Sequence, residues 1–549
     1  MLEAAVATLL LLLLCWRLRR SLVASRERLA AISANPPRQG PTSSQKVVAT
    51  NTLRTIARQL REGRQLGVQV SVWFRGEETI SIVAGVYRQA CSSSDDDDDD
   101  DASWLPITTT TLLHNFSVTK GVVAALLLAL VDDGVLSYDQ PVSSIWPAMH
   151  DERIGRLTVA ELISHRGGLY ISIGFACRFA RMLGMCGWPW LSPPDPAAAW
   201  RLGEEHAQRV PPRWDPGTES HYTPVCWSWI AGGIILRALA LHNSSSPDCV
   251  DGNNVGIDDG GATLRDLIKT RLGVPLGCAD DLHLGFDPSS SSREEDLKRL
   301  ARVEPISLSR CFRGVSLLRV LDTDPRVLSS AMASDVEYVT TRDGLATKRC
   351  SGGAAFCICA RLRGIARSLL AIGAWCEGLA FAAIASSEAF RNSALPSSNS
   401  ATTARAVASI YAAIGGNGAV VVDGEERRIV SERAVANLHA RLRDSSLALA
   451  GTKATSFETS RLGCGFSNWS NARLVGTARR ARTSLSHNGS GGHVAYTTTD
   501  RGEELAIVVL TSEYKPVGLN GKTSVQSEAI EIAAAVRADI ARAFGDVAL

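Results

Sequence analysis

The spacing of apolar positions changes along the chain and marks out different elements. Val68, Val70, Val72 and Phe74 alternate with Gln69, Ser71, Trp73 and Arg75, the two-residue period of a half-buried strand. Arg75-Gly76-Glu77-Glu78 reads as a turn, and Thr79 to Val86 returns as a second strand. From Val118 the period lengthens. Val118, Val122, Leu126 and Leu130 recur at four-residue spacing, with Val123, Leu127 and Val131 beside them, which predicts a helix buried on most of its surface. Asp132-Asp133-Gly134 stops it. Further helices are expected over Leu53–Leu60, over a Thr158-capped segment ending at Gly167-Gly168, over Cys226–Leu241 and over Ala404–Ile414. Arg482–His487, His493–Thr498 and Leu505–Leu510 are three strand candidates. Val525 to Phe544 closes the chain as a long helix with Ile530, Ala533, Val536 and Ile540 on one side. Two strands near the start and three near the end predict one antiparallel sheet of five strands or slightly more. Helices flank it and a helical subdomain packs on it, so the expected fold class is α+β.

Composition adds little except at a few segments. Hydrophobic content of 45%, charged content of 21% and a formal charge of +2 describe an ordinary globular chain with no nucleic-acid signature. Thirteen cysteines without framework spacing read as mostly free thiols, and Cys350, Cys357 and Cys359 do not have a zinc spacing. Ala4 to Trp16 is an unbroken apolar run followed by Arg17, Arg19 and Arg20. Residues 1–20 therefore read as a hydrophobic anchor or signal-like segment, and membrane attachment through 4–16 is expected; a cleaved secretory or organelle presequence is the alternative. Pro36-Pro37 and Gly40-Pro41 make 21–50 a linker. The main domain is expected over 51–549. Insertions interrupt it near 91–101, where Asp95 to Asp101 are consecutive aspartates, and near 242–262, 287–296 and 329–385.

The candidate chemistry sits at the head of the buried helix. Asn115 reads as its N-cap, so Ser117 falls in the first turn, where the helix dipole favours negative charge. Ser117 and Lys120, three residues apart, share a face. A hydroxyl becomes a nucleophile when a base takes its proton, and a desolvated lysine can be that base. Alone, Ser-x-x-Lys is more often only the start of a helix with a solvated side chain.

Its surroundings decide between the two. Phe116-Ser117-Val118-Thr119-Lys120-Gly121, Leu136 to Val142, Thr158 to Leu169, Trp214-x-Pro216-Gly217 with Tyr222, and His487-Asn488-Gly489 occur in one order over roughly residues 50–545. In that order they resemble the serine β-lactamase-like superfamily, nearest the class C branch of β-lactamases, family VIII carboxylesterases and D-aminopeptidases. The resemblance implies a β-lactamase/transpeptidase-like fold. It implies Ser117 as acylated nucleophile, Lys120 as proton acceptor and Tyr222 as second member of the acid/base pair. His487 and Gly489 would line the site, and the backbone N–H groups of Ser117 and Ser490 would hold the oxyanion. No cofactor and no metal is implied, and the partner is a small ester or amide. The order of base and acid between Lys120 and Tyr222 stays open at this point.

Two departures bear on substrate. Tyr222-Thr223-Pro224 stands where class C β-lactamases have Tyr-x-Asn, so no side-chain amide is available. His487 replaces the lysine of Lys-Thr-Gly, so a fixed positive charge is lost or made pH-dependent. Both favour an esterase-like serine hydrolase over a β-lactamase or D-aminopeptidase-type amidase or acyltransferase. The competing class is a catalytically silent, membrane-associated binding or scaffold relative. His165, in the same motif set, reads as a turn stabiliser rather than a chemical group.

Overall fold

The computed structural model of the protein describes, apart from isolated positions, residues 28–40, 47–90, 103–170, 196–243, 260–305, 339–340, 346–347, 382–443, 460–469, 484–498, 503–514 and 524–545. Residues 4–16, the Asp95–Asp101 run and the cysteines at 350, 357 and 359 lie outside them. Two compact units are present: residues 1–304 with 382–549, and residues 305–381. In the second, the described part is an antiparallel pairing of Val339–Thr340 with Ala346–Thr347.

In the first unit the strands that build the main path of the sheet and the site begin with β1 (Gly67–Phe74), β2 (Glu77–Tyr87), β3 (Leu113–His114), β4 (Leu282–Leu284) and β5 (Ser400–Thr402). There follow β6 (Ala419–Val422), β7 (Glu425–Arg428), β8 (Ser460–Gly463) and β9 (Phe466–Trp469). The last three are β10 (Ser484–Gly489), β11 (Gly492–Thr498) and β12 (Glu504–Thr511). Five helices frame the site: α1 (Thr50–Arg61), α2 (Thr119–Asp132), α3 (Trp227–Asn243), α4 (Ala404–Gly415) and α5 (Ser524–Phe544).

The main sheet runs β7-β6-β2-β1-β12-β11-β10-β9-β8. Its five central strands are the five expected and pair antiparallel. Two further hairpins extend it, β6–β7 at one edge, joined to β2 by a parallel contact, and β8–β9 at the other. These two hairpins and β1–β2 each turn on a residue-glycine pair with positive φ at both positions: Asp423-Gly424, Cys464-Gly465 and Arg75-Gly76. That is the geometry whose twist matches the strands it joins.

One sheet face carries Val68, Val70, Val72, Ile80, Ile82, Ile507 and Val509 and packs under α1 and α5. Each such side chain contributes about 1.5–3 kcal/mol when fully buried. In α5 the packing residues are Ala529, Ile532, Ala533, Val536 and Ile540, while Ile530 is only partly buried. The carboxylate of Asp539 on α5 caps α1 in place of a local residue, accepting from the amides of Asn51 (3.0 Å) and Thr52 (2.9 Å) and the Thr52 hydroxyl (2.8 Å).

The other face corrects an expectation. β1 is not half-exposed, because every residue of it is buried. Its polar alternates are satisfied internally. Gln69 donates to the carbonyls of Thr108 and Thr111 and accepts from the Ala404 amide at the head of α4, while Ser71 donates to Glu78. Together with Trp73, Val508 and Leu510 this face packs on α4 and α2. α2 is buried over Thr119 to Leu130. Residues 287–296, expected as loop, become helical from Arg293 to Arg299, with Leu297 buried. Cys226, Cys278 and Cys464 are free and buried, and burial pushes each thiol up to about 12. Among the described residues no helix is long and apolar enough to cross a membrane, and no cluster of side chains has a metal-binding arrangement.

Candidate active site

The buried helix is entered through a 3₁₀ turn, Phe116–Val118, with Phe116 held at φ 48°. Positive φ at a bulky residue is strained and persists only where neighbours enforce it. Here they are the short strands β3 and β5. Ala401 and Thr402 register against His114 and Leu113. The Asn115 amide donates to the Ser400 carbonyl (3.0 Å). Asn115 does not cap the helix with its side chain; its Nδ2 donates instead to Thr402 Oγ1 (2.7 Å). Thr119 Oγ1 donates to the Phe116 carbonyl (2.5 Å) and meets Ser400 Oγ at 2.7 Å. The head of α2 is thus tied to β5 before Ser117 is considered.

Lys120 is fully buried, with Nζ 3.3 Å from Ser117 Oγ. The amine also donates to two main-chain carbonyls, Pro224 at 2.8 Å and Ser397 at 2.9 Å. Burial pushes its ammonium well below the usual lysine range. A neutral amine has two N–H bonds and one lone pair. With both hydrogens taken by carbonyls, the lone pair is left facing the Ser117 hydroxyl. Ser397 is itself held by Ser228, whose Oγ donates to Ser397 Oγ (2.6 Å) and accepts from its amide (3.0 Å).

Tyr222 folds back onto this pair. Its hydroxyl hydrogen-bonds Ser117, and Lys120 Nζ lies 4.9 Å from the centre of its ring. Burial pushes the phenol upward against the opposing hydrogen bond, so it is a proton carrier at neutral pH. His165, at φ 64°, supports the same segment. Its Nδ1 accepts from the Thr223 amide (3.1 Å), lies 2.6 Å from Thr223 Oγ1, and its ring sits 5.0 Å from that of Tyr222. This is the turn-stabilising role expected of it.

β10 lines the other side. A Cβ on Gly489 would fall 3.0 Å from the Ser117 amide and 2.9 Å from that of Val118, so only glycine allows this approach. His487, two residues back on the same strand face, is buried, with its ring 6.2 Å from that of Tyr222. Burial pushes His487 down to about 3, so it is neutral at physiological pH. Ser490 begins the two-residue turn between β10 and β11.

Ser117, Lys120, Tyr222, His487 and Gly489 therefore converge. Sequence reasoning missed the carbonyls of Pro224 and Ser397, and Ser228 behind them. Every residue has a carbonyl, so nothing in the sequence marks these two.

Comparison with known proteins finds related sequences and structures. A family model described as Beta-lactamase matches residues 53–242. Esterase/beta-lactamase LipL of Mycobacterium tuberculosis is 26% identical over 188 residues, 34% of this chain and 34% of that protein. The match thus spans about a third of the length of the curated relative. Among solved structures, a family VIII carboxylesterase superposes with a TM-score of 0.54 at 17% identity, covering 91% of this chain and 100% of that one. A penicillin-binding protein homolog from Caulobacter crescentus gives 0.51 at 19% identity, with 91% and 100% covered. At such identities these two structures speak for the fold. The family match covers the segment that carries Ser117, Lys120 and Tyr222, and the two structures give the chain a β-lactamase/transpeptidase-like fold.

Proposed function

We propose that the chain is a serine hydrolase that forms an acyl-Ser117 intermediate and prefers small neutral esters. The observation that carries this reading is the desolvated Lys120 amine, braced by two carbonyls with its Nζ 3.3 Å from Ser117 Oγ. Lys120 takes the hydroxyl proton as Ser117 Oγ bonds to the substrate carbonyl carbon. The oxyanion is held by the N–H groups of Ser117 and Ser490. Tyr222 gives its proton to the departing alkoxide and regains one from Lys120, and water then releases the acid by the same steps. A high phenol and a low ammonium support lysine as base and tyrosine as acid, the order left open by the sequence.

Preference for esters is supported by the absence of a side-chain amide at Pro224 and of a cation at His487, and by the similarity to the Mycobacterium tuberculosis esterase/beta-lactamase. A fluorophosphonate probe should label the wild type and spare Ser117→Ala. Turnover of short-chain p-nitrophenyl esters should fall at least about a thousandfold in Lys120→Ala. Equal labelling of both proteins would reject an acyl-Ser117 enzyme in favour of a silent binding relative, and faster turnover of a chromogenic cephalosporin than of any ester would reverse the substrate preference. The proposal extends to membrane attachment through residues 4–16, for which retention of the full chain in carbonate-washed membranes is the test.

A further inference from the structure

His487 holds a hydrogen-bonding atom that nothing in the resting site uses. Its Nδ1 lies 2.8 Å from the carbonyl oxygen of Asn488. A carbonyl only accepts, so Nδ1 carries the hydrogen and Nε2 of the neutral ring carries a lone pair. That Nε2 is buried and has no partner. The surrounding donors are committed elsewhere. Lys120 Nζ is turned to Pro224 and Ser397, the Tyr222 hydroxyl is engaged with Ser117, and Nδ1 of His493 faces Asn488 Oδ1. A buried acceptor without a donor is costly, and a ligand that brings a donor relieves that cost only when bound. Because His487 shares its strand face with Gly489, which abuts the Ser117 amide, the ring belongs to the same cleft wall as the nucleophile.

We infer that His487 Nε2 is a specificity-determining acceptor: the site takes neutral esters that carry a hydroxyl or amide N–H against this nitrogen, and it discriminates against esters that place a carboxylate there. This deepens the acyl-Ser117 reading and rests on it. A lone pair facing a carboxylate offers it neither a proton nor a charge.

The test uses the full chain and matched substrates: p-nitrophenyl butyrate, its α-hydroxy and β-hydroxy counterparts, the ester of N-acetylglycine, ethyl butyrate against ethylene glycol monobutyrate, and p-nitrophenyl hemisuccinate. At least one donor-bearing ester should exceed its plain counterpart about fivefold in kcat/KM, the worth of one neutral hydrogen bond. That gain should vanish in His487→Phe. Hemisuccinate should be the poorest wild-type substrate and should improve about tenfold relative to butyrate in His487→Lys. A wild type that treats plain and donor-bearing esters alike, or prefers hemisuccinate, overturns the inference; so does a His487→Phe protein that keeps the gain. If either variant fails to fold, the wild-type panel alone decides. A flat panel with Ser117 still labelled by fluorophosphonate rejects this inference and leaves the acyl-enzyme standing, whereas loss of both labelling and turnover removes both.

Discussion

Gly489→Ala probes how tightly β10 is set against the nucleophile. The added methyl would fall 2.9 Å from the Val118 amide nitrogen and 3.0 Å from that of Ser117, and closer still to the Asn115 carbonyl oxygen. All three are backbone atoms of the strained turn around Phe116, which is pinned to β5 and has no rotamer with which to give way. Ordinary contact begins near 3.4 Å, so β10 must retreat by about 0.5 Å from the amides and by more from the carbonyl. Misplacement of about 1 Å costs on the order of a hundredfold in rate. We expect kcat/KM for p-nitrophenyl butyrate to fall about 10- to 100-fold, fluorophosphonate labelling of Ser117 to slow in parallel, and stability to drop by about 1–3 kcal/mol from overpacking. Stopped-flow kinetics beside thermal melting would read both. A folded Gly489→Ala protein within about threefold of wild-type kcat/KM would refute the claim that this strand shapes the oxyanion site.

Three shorter expectations follow. Ser228→Ala removes the hydroxyl that holds Ser397, so kcat for ester hydrolysis should fall about tenfold while stability changes by only about 1 kcal/mol. Burial pushes His114 and His487 from 6.5 down to about 3, and His493 down to about 4. A folded-state value below the unfolded one means the stability they contribute is complete above pH 6.5 and is lost as pH falls toward those values. Each histidine should remove up to about 1.4 kcal/mol per pH unit, and His114→Leu should flatten the fall in melting temperature between pH 6.5 and pH 5. Arg237→Ala strands the carboxylate of Glu204, its buried partner, and should cost about 3–5 kcal/mol in denaturant unfolding.

How much of this was legible in the sequence depended on what carries each feature. Ser117 and Lys120 were readable because helical spacing alone puts them on one face, and Tyr222 because it follows Trp214-x-Pro216-Gly217. The central strands were readable from alternation, but the burial of Gln69 and Ser71 was not, since their partners are Thr108, Thr111, Ala404 and Glu78, remote or main-chain groups. The edge hairpins were missed although Asp423-Gly424 and Cys464-Gly465 are the residue pairs their turns require. Short strands give too few alternations to read. Asn115 was misjudged for a related reason: its side chain found a tertiary partner, Thr402, and the local cap was left to the main chain.

The way Lys120 is braced has an outcome for variation and engineering. Pro224 turns its carbonyl inward to the amine while the residue itself is exposed at the surface. A peptide oxygen survives any substitution that keeps the local backbone path, so the amine's geometry does not depend on which side chain stands at 224. That position, two residues from the phenol, is therefore one where a library could vary the side chain while the contact of the main-chain carbonyl with Lys120 stays in register.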